Sequence, residues 1–158
     1  MDHRSRKRRM MLKSGGALLA ALGVAGWFRP AAAAGEAWNK DAFEAHAFAD
    51  ARQALGAHES AQSLDIAFVQ TPEIAENGAV VPIGVTSRIP HTDSIAILIE
   101  KNPSPLAAVF DIPAGTEPAI STRVKMAQTS NVYAFVRADG KYYVAAKEIK
   151  VTLGGCGG

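Results

Sequence analysis

The sequence predicts a mainly β protein: an antiparallel two-sheet sandwich of about seven strands, with one helix before it and a flexible glycine-rich arm after it. Three observations predict this. After Ser60, short β-rich runs alternate with breaks of Pro, Gly and Asn. Seven such runs at short spacing, with no strand–helix alternation, suit an immunoglobulin-like sandwich and disfavour a parallel sheet. Finally, the single cysteine, Cys156, stands in Gly154-Gly155-Cys156-Gly157-Gly158, where nothing but the thiol could pack.

The first 34 residues read as an export signal and not as part of the fold. A basic stretch, Arg4 to Lys13, precedes a mostly apolar run, Gly15 to Phe28, and small residues follow at Ala31 to Ala34. The apolar run is too short for a membrane span, which needs roughly 20 residues. Lys7-Arg8-Arg9-Met10-Met11-Leu12-Lys13 resembles a twin-arginine signal: the Arg pair and trailing Leu-Lys fit, while Lys7 and Met11 replace the usual Ser or Thr and Phe. An ordinary secretory signal with a chance Arg pair is the alternative. Cleavage after Ala34 is expected, with Ala32 and Ala33 also suitable. Residues 35–153 then form one domain, enough chain for one packed core. The signal carries seven of the 17 Lys and Arg and one of the 15 acids, leaving ten against 14, net −4. The basic precursor pI is thus a property of the signal, and no clustered basic surface points to nucleic acid.

Within the domain, Asn39 to Ala57 reads as one amphipathic helix, with Phe43, Ala47, Ala51, Ala54 and Leu55 as its apolar stripe. Asn39 is the expected N-cap, Asp41 favours the first turn, and Gly56 is the expected stop. The strands follow: Ser63–Gln70, with Leu64, Ile66 and Phe68 on one face, then Ala79–Val85, Ser94–Glu100, Leu106–Asp111, Ala119–Met126, Asn131–Ala138 and Lys141–Thr152. Asp139-Gly140 marks a tight hairpin between the last two, because both residues tolerate positive φ. Prolines 82, 90, 103, 105, 113 and 118 fall at or near strand ends, where a missing N–H does least harm.

The chemistry-bearing residues are few. His46 and His58 do not share a helix face, and with His91 they form no metal-ligand pattern. No Ser-His-Asp order, nucleophile elbow, zinc-protease motif or phosphate-binding loop is present, and no carboxylate pair can be assigned as acid and base. No catalytic residue, metal or cofactor is therefore expected. Cys156 remains. A lone thiol in an exported protein points to intermolecular pairing or a free reactive group. Four flanking glycines make a thin tether, and three links from Leu153 reach roughly 10 Å, which would let the thiol enter a narrow site on another protein. No Lys, Arg or His adjoins Cys156, so the thiol is not activated by its neighbours. It reads as a handle that other enzymes work on.

The segment Gly154–Gly158 matches the terminal GGCGG of the SoxY family. "PEIAENGAVVPI" (Pro72–Ile83), "EKNPSPLA" (Glu100–Ala107) and the run from Ser121 to Gly158 also look like this family. The resemblance covers essentially the whole exported chain. It implies an immunoglobulin-like periplasmic carrier paired with a SoxZ-like subunit, not itself an enzyme. It implies that Cys156 is joined to thiosulfate by the haem protein SoxAX and that the hydrolase SoxB then releases sulfate. In systems that contain it, SoxCD oxidises the remaining sulfur. Gly154, Gly155, Gly157 and Gly158 would form the arm. Unpaired strand edges within Asn131–Thr152 are the expected docking place for the SoxZ-like subunit. Two other readings stay open: an exported interaction module that forms an intermolecular disulfide through Cys156, and a stand-alone thiol enzyme.

Overall fold

The structure, a computed structural model, describes residues 39–153. Two short helices, α1 (Lys40–Glu44) and α2 (Phe48–Ala54), come first. Nine strands follow: β1 (Ser60–Gln62), β2 (Ile66–Val69), β3 (Ile74–Ala75), β4 (Val81–Ser87), β5 (Thr92–Ile99), β6 (Leu106–Asp111), β7 (Ala119–Val124), β8 (Ser130–Ala138) and β9 (Lys141–Val151). One sheet has the order β1-β9-β8-β5-β6, with β3 also paired to β9; the other has the order β2-β4-β7. Successive long strands switch sheets between β4 and β5, β6 and β7, and β7 and β8. This is the sandwich connectivity of the immunoglobulin type, as expected.

The seven expected strands are all present, and two more join them. β1 and β3 are three and two residues long. They pair in parallel with β9, at Ser60↔Tyr142 and Ile74↔Lys150. They are too short to leave a period in the sequence, and they form because β9 offers an outer edge. The pairings among the long strands are antiparallel. The β8–β9 hairpin turns at Asp139 and Gly140, with φ of 49° and 72°. Leu64, expected to share a strand face with Ile66 and Phe68, instead lies before β2 and is 95% exposed.

The single expected helix is broken. Ala45 and Ala47 are extended, so the chain leaves α1 and restarts at Phe48. The reason is packing. In one continuous helix Phe43 and Phe48, five residues apart, would point about 140° from each other. The break lets both join one cluster with Leu98, Leu106 and Phe135. Phe48 lies with its ring centroid 4.7 Å from that of Tyr133. The expected ends survive: Asn39 Oδ1 accepts from the Ala42 N–H, and Gly56 adopts φ +76°. Tyr142 Oη also donates to the Leu55 carbonyl, tying the end of α2 to β9.

Two cores result. One lies between the sheets around Ile83, Val85, Ile97, Val132 and Ile149. The other lies between the large sheet and the helices. β5 serves both, and every residue from Ser94 to Ile99 is buried. In the small sheet Gly84 permits a close approach: a Cβ there would overlap the Val69 carbonyl oxygen. Thr71 Oγ1 accepts from the Gly84 N–H at 3.0 Å and donates toward its carbonyl, so the chain leaving β2 stays hydrogen-bonded to β4.

Candidate functional site

Cys156 and its flanking Gly154, Gly155, Gly157 and Gly158 lie outside the described residues. What the structure describes is the root from which that segment departs. β9 is the longest strand, and over most of its length it pairs with β8. Its last residues are held on both edges. On one side Thr129 Oγ1 accepts from the Val151 N–H at 2.9 Å, extending the β8 ladder by one side chain. On the other, the Lys150 N–H donates to the Glu73 carbonyl and the Thr152 N–H to the Ala75 carbonyl. Thr152 Oγ1 adds a bond to the Glu76 carbonyl at 3.1 Å.

Gly78 completes this clamp. Its N–H donates to the Leu153 carbonyl at 2.8 Å, and its carbonyl accepts from the Met126 N–H at 2.7 Å. Met126 is fully buried in the core. The backbone of β9 is thus anchored through Leu153, three residues before the thiol. The Leu153 side chain is 66% exposed. Two other exposed apolar residues attach to the same clamp: Ile74, in register with Lys150, and Val80, two residues beyond Gly78.

The histidines are not brought together. His46 Nδ1 lies 3.1 Å from the Pro103 carbonyl, His91 Nδ1 lies 3.1 Å from Asp139 Oδ2, and His58 is exposed. Among the described residues no three His, Cys, Asp or Glu are grouped to hold a metal ion. None of their helices is long and apolar enough to cross a membrane.

The strand edges also differ from expectation. β8 lies inside the sheet, between β9 and β5. The outer edge of β9 is covered by β1 at Tyr142–Val144 and by β3 at Lys150 and Val151. Between them, Ala145 to Ile149 have no strand partner on that edge among the described residues, although Lys147 Nζ reaches the Thr71 carbonyl at 2.7 Å. The sequence marks the arm but not its clamp. Asn77-Gly78 carries a turn signal that points to one half of it; nothing local marks Thr129.

Comparison with known proteins bears on this segment. The family profile "Sulfur oxidation protein SoxY" matches residues 51–156. Among solved structures, the sulfur carrier protein SoxY from Chlorobium limicola f thiosulfatophilum is 40% identical with a TM-score of 0.61; the match covers 72% of this chain and 99% of that one. A lytic polysaccharide monooxygenase from Jonesia denitrificans matches at 12% identity and TM-score 0.37, over 50% of this chain and 56% of that one. A chain from a structure of T cell activation by the bacterial superantigen toxic shock syndrome toxin-1 matches at 13% and 0.39, over 54% of this chain and 98% of that one. These last two are too distant to bear on function. No curated protein matches.

Proposed function

The chain belongs to the SoxY family of sulfur oxidation proteins, and on that premise we propose that it is a periplasmic carrier that holds sulfur intermediates covalently on Cys156. The observation that carries the reading is the extent of the family match: it runs through the clamped end of β9 and the glycines to residue 156, the cysteine itself. The relative from Chlorobium limicola is named a sulfur carrier protein.

Cys156 as the thiol meets thiosulfate. An S–S bond forms to the sulfane sulfur, one proton leaves, and two electrons pass to the haem partner, SoxAX. The product is a cysteine S-thiosulfonate with one negative charge. Water, activated in SoxB, attacks the terminal sulfonate sulfur and releases sulfate, leaving a persulfide. Where SoxCD is present, it takes six electrons from the outer sulfur while three waters supply oxygen, giving an S-sulfonate; a second hydrolysis then releases sulfate and returns the thiol. The carrier supplies a polarizable sulfur that forms and exchanges S–S bonds. Tethering keeps each intermediate at high local concentration near a docked partner. A clamp that ends at Leu153 supports this reading, because a fixed root and a slender tip let one arm enter several active sites. The SoxZ-like subunit pairs with this chain, and a twin-arginine signal exports the folded pair.

The test is intact and peptide mass spectrometry of the protein from thiosulfate-grown cells, before and after reductant. Reductant-labile adducts of thiosulfonate or persulfide mass on the Cys156 peptide are expected. A bare thiol, or only a disulfide to a second copy, would sink the carrier reading.

A further inference from the structure

Of the chain's four asparagines, only Asn77 precedes a glycine. Asn77 is exposed, while Gly78 is buried. The pair sits at the join between the two halves of the clamp. On one side of it, the carbonyls of Ala75 and Glu76 hold Thr152. On the other, the Gly78 N–H donates to the Leu153 carbonyl at 2.8 Å, and the Gly78 carbonyl accepts from the Met126 N–H at 2.7 Å. Asn77 closes the turn that follows: its Oδ1 accepts from the Ala79 N–H at 2.8 Å, and its carbonyl accepts from the Val80 N–H at 3.4 Å.

We propose that Asn77-Gly78 is a self-modification site, an imide-forming pair that the clamp guards and that dismantles the clamp once it reacts. Glycine has no side chain to shield its backbone nitrogen. When that nitrogen gives up its proton to water or hydroxide, it attacks Cγ of Asn77. A C–N bond forms, the bond from Cγ to the amide nitrogen breaks, and ammonia leaves a five-membered cyclic imide. Water then opens one of the two ring C–N bonds. Opening at Cγ gives aspartate on the ordinary backbone. Opening at the main-chain carbonyl gives isoaspartate, with the backbone rerouted through Cβ and Cγ. Either route consumes one water, releases one ammonia and adds one negative charge, with no oxidant or reductant. In the clamped protein both reacting groups are engaged elsewhere, the Gly78 N–H with Leu153 and Oδ1 with Ala79. The nitrogen must leave Leu153 before it reacts, so the reaction waits on a local opening. The two products then differ. A normal aspartate keeps an acceptor for the Ala79 N–H, and the clamp persists. Isoaspartate inserts one backbone carbon, about 1.5 Å of chain, between the residues that hold Thr152 and the residue that holds Leu153. Thr152 and Leu153 are adjacent, so the lengthened link cannot satisfy both halves. The inference stands on the clamp alone and is independent of the carrier reading.

The test follows Asn77 in the purified protein, with Cys156 capped as the carbamidomethyl derivative, at mildly alkaline pH. Peptide mass spectrometry counts deamidation, and an isoaspartate methyltransferase used as a reagent separates the two products. Asn77 should deamidate about 30-fold more slowly in the native protein than in denaturing guanidinium, because the reaction requires opening. Thr129→Val/Thr152→Val, which removes two side-chain bonds of the clamp, should raise the native rate about tenfold, equivalent to about 1.4 kcal/mol, and leave the denatured rate unchanged. Gly140→Ala, at the other end of β9, should leave both rates unchanged. Chromatographically isolated isoaspartyl protein should show hydrogen exchange about tenfold faster at Gly78 and Thr152 than the aspartyl form, with Ala138–Tyr143 unaffected, as expected for a local opening. Equal native and denatured rates, or an equal rise in Gly140→Ala and the clamp variant, would overturn the guard. Isoaspartyl and aspartyl forms that exchange alike would overturn the dismantling, and that comparison is made in the parent sequence, so it does not depend on how the variants fold.

Discussion

The two ends of β9 are held by different means. At Lys141 the strand begins in a two-residue turn, Asp139-Gly140, whose geometry both residues adopt by themselves. Roughly 33 Å away, at Val151, it ends in a clamp made by Thr129, Glu73, Ala75, Glu76 and Gly78, parts of the chain 22 to 77 residues distant. The first end needs only to reverse direction. The second stops one strand at a defined point, with its backbone held up to Leu153 by other parts of the chain. A local turn cannot do that, since it would fold the chain back onto the sheet.

The largest expected effect comes from removing what the second end presents. Cys156→Ser should eliminate all reductant-labile adducts in thiosulfate-grown cells, while thermal unfolding stays within about 1 °C of the parent, as expected for a substitution outside the core. Adducts that persisted in this variant would place the carrier chemistry elsewhere.

Breaking the clamp should be severe but local. Thr129→Val keeps the shape and removes the acceptor for the Val151 N–H. A donor stranded in this way costs about 2 kcal/mol. Hydrogen exchange at Val151 and Thr152 should then accelerate roughly 30-fold, with about a tenfold change for each 1.4 kcal/mol. Amides at Ala138–Tyr143 should change little; equal acceleration at both ends would mean that β9 opens as one unit and that the clamp has no independent role.

At the hairpin end, Gly140→Ala forces a Cβ into φ +72°. It should cost about 1 kcal/mol of global stability in denaturant unfolding, with no change in chemical loading of Cys156. A loss of loading would show that the two ends of β9 are coupled. The smallest effect is expected from Asp139→Asn. It removes the charge facing His91 while keeping a residue that tolerates positive φ. Both side chains are largely exposed, so unfolding free energy should move by less than about 0.5 kcal/mol.

The same contrast explains which parts of the molecule are legible in the sequence. The long strands are legible because apolar residues alternate or run together in lengths that suit them. The Asp139-Gly140 turn, the Asn39 cap and the Gly56 stop are legible because each depends on what one residue can do with its own backbone. The break between α1 and α2 is not legible, because alanine-rich spacing from Phe43 to Leu55 is equally compatible with one helix or two. Only the aromatic cluster of the large sheet, Tyr133 and Phe135 with Phe48, decides between them. β1 and β3 are invisible because so few residues have no period to detect. The near-continuous run Ser94–Ile99 carries a further signal. A strand apolar on both faces needs cover on both, and α1 and α2 are that cover.

Sequence by itself determined the class of fold, the order and register-setting turn of its last hairpin, and a single thiol between paired glycines. These follow from residue-level chemistry: side-chain period, backbone permissiveness and the count of cysteines. Tertiary structure alone decided where β9 stops, and that β6 and β7 lie at the edges of the two sheets of the described residues. Those outcomes depend on contacts between residues far apart in the chain. The hydrogen bonds that create them form only after two sheets have packed and brought Gly78, Met126 and Leu153 side by side.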